Sequence, residues 1–172
     1  MQQRRHMMGM VGLTAVAAVL PGCGFQLRGT PNFAFDSIHI VLPTQSTALG
    51  AELKRRLQLN SQLQVLDDPT LVARAQVVLE ILSEQREKVV VALNAVGQVR
   101  EFQLRTRLRF RLRNQRGTEL IADTEILLQR DISFNETLVL AKEAEENLLY
   151  RDMQTDIAQQ LVRRLAALKD IR

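Results

Sequence analysis

Five arginines at alternate positions are the most distinctive chemical feature of this chain. They occupy the odd positions of one stretch: Arg105, Arg107, Arg109, Arg111 and Arg113. The even positions of the stretch 102–113 are apolar or β-branched, which predicts a long, half-buried strand because side chains on a strand alternate between its faces. A guanidinium binds carboxylates and phosphates in bidentate geometry, so the arginine side of this strand is expected to bind one or the other.

Residues suited to catalysis are scarce. The chain has two histidines, His6 and His39, and the first lies in an N-terminal segment that we expect to be removed. His39 lies on a predicted strand, where we interpret it as an exposed histidine without a catalytic role. No spacing resembles a metal-ligand cluster, a phosphate-binding glycine loop or a hydrolase motif. We therefore predict a protein that is not an enzyme and that needs no cofactor or metal.

The N-terminal residues have the pattern of an export signal. Two arginines precede the uncharged stretch 7–20, which is too short for a helix to cross a bilayer core of ~30 Å. Leu20-Pro21-Gly22-Cys23 follows and resembles the bacterial lipobox, in which the cysteine receives the lipid. The sequence thus predicts a lipoprotein signal peptide over 1–22, a lipid anchor on Cys23 and a single periplasmic domain over 23–172.

The single cysteine and the charge balance narrow the location and the partners. Cys23 is the only cysteine, so we expect no internal disulfide and an anchoring role rather than a nucleophilic one. Gly24 follows it, and resemblance to sorted lipoproteins implies the outer membrane, because an aspartate there would suggest retention in the inner membrane. Without the signal peptide, 21 basic residues stand against 19 acidic ones. A net charge of +2 does not indicate a nucleic-acid partner.

Turn signals divide the mature chain into elements around the arginine strand. Further strands are predicted over 36–42, 62–66, 75–91 (with a bulge) and 118–131, and helices over about 48–59 and 135–168. The segments 94–97 and 114–117 both read Asn-x-x-Gly, which predicts two tight turns and an antiparallel meander. The predicted fold class is α+β, a two-layer sandwich in which a mostly antiparallel sheet of about four strands is backed by two helices.

The turn lengths also predict which side chains face each other. A three-residue loop at 115–117 predicts three opposed pairs: Arg113 with Glu119, Arg109 with Asp123, and Arg107 with Glu125. On the incoming side, a four-residue loop at 94–97 predicts two more: Arg111 with Glu80, and Arg107 with Glu84. The arginine side of the strand is therefore expected to be first a structural feature. Arg105 is expected between Arg86 and Leu127, with no carboxylate opposite it.

Three segments in register resemble the LptE (RlpB) family of LPS-assembly lipoproteins. They are Cys23–Thr30 after the lipobox, Val96–Phe102 at the turn into the arginine strand, and Leu140–Glu143 together with Gln159–Leu165 in the last helix. The resemblance implies an outer-membrane lipoprotein that plugs the lumen of the β-barrel LptD, assists assembly of that barrel and binds lipopolysaccharide (LPS) on its way to the cell surface. A polar barrel lumen is compatible with a charged sheet face.

The resemblance also suggests a binding site. The family's LPS-binding lysine falls on Lys142, whereas a second basic position of the family falls on Ala95. Arg105, Arg86 and Lys88 are expected at the end of the sheet where the last helix begins. We therefore predict that Lys142, Arg105, Arg86 and Lys88 bind LPS phosphates.

Two alternatives remain open. One is a lipid-anchored periplasmic scaffold or binding domain without a barrel partner, and the other is an assembly factor that does not bind LPS. A one-to-one complex with an integral barrel would exclude the first of these. In each case the expected location is the outer membrane, with the domain inside the barrel lumen or facing the periplasm.

Overall fold

The computed structural model describes residues 31–43 and 48–171. The predicted signal peptide and Cys23 lie outside these residues. The strands are β1 (Ser37–Val41), β2 (Gln64–Leu66), β3 (Val77–Leu93), β4 (Val99–Asn114) and β5 (Glu119–Ser133). The α-helices are α1 (Ala48–Gln58) and α2 (Val139–Ala166), and two short 3-10 helices span Pro69–Arg74 and Glu136–Leu138.

The five strands form one mixed sheet in the order β2-β1-β3-β4-β5. β1 runs parallel to both β2 and β3, whereas β3, β4 and β5 form the predicted antiparallel meander. Apolar side chains of α1 and α2 join the same buried cluster as the even-numbered residues of β4. The predicted two-layer α+β fold is therefore confirmed, with five strands in the described part of the chain rather than about four.

Both hairpin loops close as the Asn-x-x-Gly pattern predicts. The amide of Gly97 donates to the carbonyl of Asn94, and that of Gly117 to the carbonyl of Asn114, each at 3.0 Å. The φ angles of Gly97 and Gly117 are +83° and +86°, a region that glycine adopts without strain. The amide of Asn94 also donates to the carbonyl of Gln98 at 2.8 Å, so this loop has three residues. The prediction of a four-residue loop at 94–97 is wrong.

Two β-bulges displace the register between β4 and β5. Arg113 faces Glu119 as predicted, but irregularities on either side of Leu112 shift the pairs that follow. Two predicted pairs are therefore wrong: Arg109 faces Glu125, and Arg107 faces Leu127. Each bulge adds one residue to β5, so the two together shift the register by two, and beyond them the odd-numbered residues of β4 still face odd-numbered residues of β5.

The first of three register shifts between β3 and β4 has a larger effect on the candidate site. Arg111 faces Glu80 as predicted, but the register shifts by one between Ile81 and Ser83. The predicted positions of Glu84 and of Arg86 are therefore wrong: Gln85 faces Arg107, Glu87 faces Arg105, and Arg86 faces Thr106. A shift of one residue exchanges the two faces of a strand, so Arg86 and Lys88 turn to the face that α2 covers.

α2 begins after a capped turn. The Oδ1 atom of Asn135 accepts a hydrogen bond from the amide of Thr137 at 3.0 Å, which starts the 3-10 helix Glu136–Leu138. The α-helix follows directly and runs for 28 residues to Ala166. The prediction of a helix over about 135–168 is thus confirmed in extent, with its first turn in 3-10 form.

His39 is buried, contrary to the prediction. Only 5% of it is exposed, and its Nδ1 atom lies 2.8 Å from the carbonyl oxygen of Leu66. The 3-10 helix Pro69–Arg74 covers this face, where Leu71 and Val72 pack against Val78, the residue beside His39 in the sheet. A short helix on the second face of the sheet could not be foreseen from the alternation within β1 alone.

One polar layer interrupts the core beneath α2. On one side lies a cluster that includes Leu108, Phe110, Leu112, Ile157 and Leu161. On the other side lies a smaller one of Leu104, Ile132, Tyr150 and Met153. Between them Thr106 and Gln154 are buried, and neither the Thr106 hydroxyl nor the Gln154 Nε2 atom has a hydrogen-bond partner among the described residues.

Replacing Thr106 with Val is expected to leave the free energy of unfolding unchanged or to raise it by up to ~1 kcal/mol. The reason is that an unpaired buried hydroxyl costs free energy that a methyl group of similar size does not. Urea unfolding of the two proteins measures the difference, and Leu108→Ala, which should cost ~2–5 kcal/mol, is the control for core packing. A loss above ~1 kcal/mol for Thr106→Val would mean that the hydroxyl has a bonding partner.

Candidate functional site

Two charged regions of the described residues are candidate sites for an anionic ligand, and they lie on opposite faces of the sheet. The first, which we call the Arg face, is the odd-numbered side of β4 and its neighbours, turned away from α1 and α2. The second is a pocket beside the start of α2, which we call the α2 pocket.

Carboxylates of neighbouring strands pair with most of the Arg face. Four arginines pair with four carboxylates: Arg113 and Arg111 with Glu80, Arg111 also with Glu119 at 3.8 Å, Arg109 with Asp123, and Arg107 with Glu125. The Nε atom of Arg113 lies 2.7 Å from Glu80. Arg109 and Arg107 pair with the predicted carboxylates, although these lie diagonally across from them rather than directly opposite. The bulges change the register, but side chains at diagonal positions remain within reach of each other. The Arg face is therefore mainly structural.

The two arginines beside Glu80 change the pKa of its carboxyl group. Glu80 has 14% of its side chain exposed, and this partial burial raises the pKa. Hydrogen bonds from Arg111 and Arg113 outweigh that effect, so the pKa of Glu80 lies below its ordinary value. The same pairing raises the pKa of Arg111. Glu80 is thus a charged bridge between two neighbouring arginines of β4.

The α2 pocket has a volume of about 230 Å³ and combines apolar and charged side chains. Four apolar residues line it: Phe102, Ile132, Phe134 and Val139. Four charged residues also line it: Lys88, Lys142, Glu143 and Glu146. The combination suits an amphiphilic ligand better than a small, fully hydrated one.

The ends of three elements build this pocket. Phe102 of β4 faces Ile132 of β5, so the two side chains form a floor on the helix side of the sheet. The rings of Phe102 and Phe134 meet edge to face with centroids 5.2 Å apart. The first turn of α2 then brings Val139 and Lys142 to the same space.

Each lysine of the pocket has a carboxylate neighbour from α2. The Nζ atom of Lys88 lies 2.6 Å from Glu146 and 4.3 Å from the centroid of the Phe102 ring. The Nζ atom of Lys142 donates to Ser133 at 3.0 Å and to Glu145 at 2.9 Å. The Lys88 ammonium therefore lies over an aromatic ring of the pocket floor, and an anionic ligand would have to compete with carboxylates for both lysines.

The structure brings three of the four predicted cations to one face. Lys88 and Lys142 line the α2 pocket. Arg86 lies outside the pocket lining, with its guanidinium 5.4 Å from the centroid of the Tyr150 ring. Arg105 lies on the Arg face, where its Nε atom donates to Gln103 at 2.8 Å. The predicted convergence of four cations is therefore wrong for Arg105, because the β3 bulge moves Arg86 and Lys88 to the other face.

Tyr150 connects α2 to β3 next to the pocket. Its hydroxyl donates to the carbonyl of Glu87 at 2.9 Å. Burial raises the pKa of Tyr150, and the nearby Glu146 carboxylate raises it further. The hydroxyl therefore stays protonated and keeps this hydrogen bond at neutral pH.

The family model for LptE, described as lipopolysaccharide assembly, matches residues 35–165. The chain belongs to the LptE family. It is 28% identical over 163 residues to the LPS-assembly lipoprotein LptE of Pectobacterium atrosepticum, covering 94% of this chain and 86% of that one. It is 29% identical over 168 residues to LptE of Yersinia enterocolitica, covering 94% of this chain and 76% of that one. The resemblance seen in the sequence is confirmed.

Solved structures of lipoproteins have the same fold. An uncharacterized lipoprotein B from Nitrosomonas europaea superposes with a TM-score of 0.71 at 34% identity, over 84% of this chain and 91% of that one. The rare lipoprotein B of Shewanella oneidensis gives a TM-score of 0.64 at 23% identity, over 76% of this chain and 94% of that one. The LptE-family architecture thus agrees with the α+β sandwich described above.

The described residues of this LptE-family chain contain neither a membrane-spanning helix nor a metal site. Over residues 31–43 and 48–171, neither helix combines the length and the apolar character needed to cross a bilayer. Within the same residues, no His, Cys, Asp and Glu side chains are grouped so that they could hold a metal ion. The family is one of LPS-assembly lipoproteins.

Sequence reasoning missed the carboxylates and the apolar lining of the pocket. Glu145 and Glu146 follow Lys142 at helical spacings of three and four, which is a signal for pairing on one helix face. Lys88 instead pairs with Glu146 across the layers, and no spacing in the sequence predicts this. Phe134 lies outside the predicted strands and helices, so its place beside Phe102 was not foreseen.

The pairing of Glu80 predicts a pH dependence of stability. Because its pKa is lower in the folded chain than in the unfolded one, its contribution is present at neutral pH and is lost as the pH falls below about 4.5. Glu80→Gln is expected to lower the free energy of unfolding by about 1–2 kcal/mol at pH 7, and by much less at pH 3. Urea unfolding at both pH values measures the two differences.

Glu125→Gln is the matched control for this experiment. Glu125 is 39% exposed and pairs with a single arginine at 3.3 Å, so its replacement should cost less than ~0.5 kcal/mol. An equal cost of Glu80→Gln at pH 3 and pH 7 would show that the charge of Glu80 does not stabilise the fold.

Proposed function

We propose that this lipoprotein is anchored in the outer membrane through Cys23, occupies the lumen of the β-barrel LptD, assists its assembly and binds LPS on its way to the cell surface. The observation that carries the proposal is the α2 pocket, which Lys88 and Lys142 line together with apolar side chains, in a chain of the LptE family.

The Arg face supports a position inside a barrel. Arg107, Arg109, Arg111 and Arg113 are paired with carboxylates of the same sheet, so this face is polar without carrying a large excess of one charge. The interior of a large outer-membrane barrel is polar and wet. Such a face can contact the wall of the lumen through hydrogen bonds, directly or through water. It needs no apolar layer to cover it, because one face of an antiparallel sheet can be exposed to water.

The chain enters the fold at the end farthest from the pocket. Asn60 donates to the carbonyl of Pro31 at 2.5 Å, and β1 begins level with the Asn114 end of β4. Pro31 lies eight positions after Cys23, a separation that spans at most roughly 28 Å. Phe102 lies twelve residues from Asn114 along β4, or roughly 40 Å. If a lipid on Cys23 anchors the end of the domain at which the chain enters, the pocket lies at the opposite end, roughly 40 Å or about one bilayer thickness away.

The lysines give the pocket its affinity for phosphate. A phosphate group carries more charge than a carboxylate and offers several acceptor oxygens, so it can replace Glu146 beside Lys88 and Glu145 beside Lys142. Arg86 adds positive charge on the same face, beside Tyr150. Arg105, on the opposite face, is assigned to the structural Arg face.

Neutralising either lysine is expected to reduce LPS binding. For Lys142→Gln and Lys88→Gln we expect crosslinking of LPS to fall about tenfold, because each removes a charge-assisted hydrogen bond to phosphate. Photocrosslinking to labelled LPS measures the effect after the fold has been checked by circular dichroism. Arg105→Gln is the matched control on the Arg face and should bind within twofold of the wild type. Equal loss in all three variants, or loss only in the control, would place the site elsewhere.

The competing carboxylate allows a test in the opposite direction. Glu146→Gln removes the partner of Lys88 and a negative charge beside the ligand, so LPS affinity should rise several-fold at low salt. Asp156→Asn, which releases Arg130 outside the pocket, is the control and should leave the affinity unchanged. A fall in affinity for Glu146→Gln would mean that Lys88 needs this partner to stay in position.

The anchor and the barrel are tested together by purification from membranes in a mild detergent. We expect the wild-type protein to elute in a one-to-one complex with an integral β-barrel, and intact-mass analysis to show a lipidated Cys23 without residues 1–22. Cys23→Ser should release a folded domain, since acyl chains supply the membrane attachment. An unmodified Cys23, or elution without a barrel, would favour a scaffold outside the barrel.

A further inference from the structure

Exposed apolar side chains gather at one end of the molecule. Four lie on the β3–β4 hairpin and are 46–78% exposed: Val90, Val91, Leu93 and Val96. Three lie at the start of α2 and are 40–82% exposed: Leu138, Val139 and Leu140. These seven, which we call the apolar tip, are most of the eleven large exposed apolar side chains in the described residues. Scattered apolar side chains need no explanation, but a concentration of them indicates a binding surface.

The apolar tip is continuous with the α2 pocket. Val139 lines the pocket itself, and Val90 faces Phe102, which forms its floor. Lys88 lies two residues before Val90 on the same face of β3, with no bulge between them. The tip also extends beyond the third strand of the meander, because β5 pairs with β4 only as far as Glu101. The described chain therefore has no element that covers the outer part of the hairpin.

The side chains of the tip indicate what covers it. All seven are valine or leucine, whereas the residues that anchor protein–protein interfaces are typically Trp, Tyr, Met and Arg. Aliphatic side chains gain free energy from any apolar contact, without requiring direction or shape, and this suits flexible hydrocarbon chains. The ammonium groups of Lys88 and Lys142 lie at the inner border of the tip. A phosphorylated lipid matches both parts at once.

We propose that the apolar tip binds the acyl chains of LPS while Lys88 and Lys142 hold its phosphates. This inference rests on the proposed function, because it assumes that LPS is the ligand of the α2 pocket. It adds that the fatty acyl chains, and not the phosphates and sugars alone, are recognised. Binding then buries the side chains of the apolar tip and the acyl chains of the lipid against each other as the lipid leaves an aggregate or a membrane.

The experiment compares LPS with the same LPS after chemical removal of its acyl chains. The full mature lipoprotein is placed in phospholipid nanodiscs, so that no free detergent competes for the tip, and the affinity for each probe is measured by competition against labelled LPS. We expect the wild type to bind the acylated form at least tenfold more tightly. The double variant Val96→Asn/Leu140→Asn, at positions 78% and 82% exposed, should lose most of this preference with little effect on folding.

Leu59→Asn is the matched control, because Leu59 is 76% exposed and lies outside the tip, just after α1. It should keep the wild-type preference. Equal affinity of the wild type for both probes, or a preference that the double variant retains, would overturn the inference while leaving LPS binding intact. If the double variant keeps the preference but no longer copurifies with a barrel, the tip is a protein interface instead. Absence of LPS binding by the wild type would overturn both this inference and the proposed function.

Discussion

Burial of one face of β4 against α2 is the interaction on which the rest of this structure depends. Leu104, Leu108, Phe110 and Leu112 are completely buried, and they alternate with arginines that must then face the other way. The same burial fixes where α2 begins, because the helix has to lie along the strand over most of its length. The Arg face and the α2 pocket are thus two consequences of one packing interaction, and neither can be moved without disturbing the other.

The periodicity of the sequence predicted the strands, the helices and the faces of β4, because each depends on which side chains must avoid water. The bulges were not predicted in position. Between 84 and 88 the chain has no apolar side chain on either face, so the alternation of apolar and polar residues does not specify the register there. A one-residue shift in this part of β3 therefore costs little. It is this shift that moves Lys88 from the Arg face to the pocket and gives Arg105 a glutamate opposite.

The candidate site was predicted only in part for a related reason. Lys142 came from the family resemblance, and its position in the first turn of α2 agrees with the helix pattern. The pairing of Lys88 with Glu146 depends on how α2 is rotated about its axis and displaced along the sheet. Those two quantities follow from side-chain packing between layers, and the spacing of residues within one element does not determine them.

The polar layer at Thr106 and Gln154 bears on how the site can work. The larger apolar cluster holds the end of the fold where the chain enters, whereas four buried residues hold the pocket end. Local opening has a lower free energy where fewer apolar side chains are buried. The start of α2 can therefore move relative to the hairpin while the larger cluster remains packed. A ligand that displaced Glu146 from Lys88 would need this freedom at the pocket end, and the larger apolar cluster at the other end would provide the rigid support.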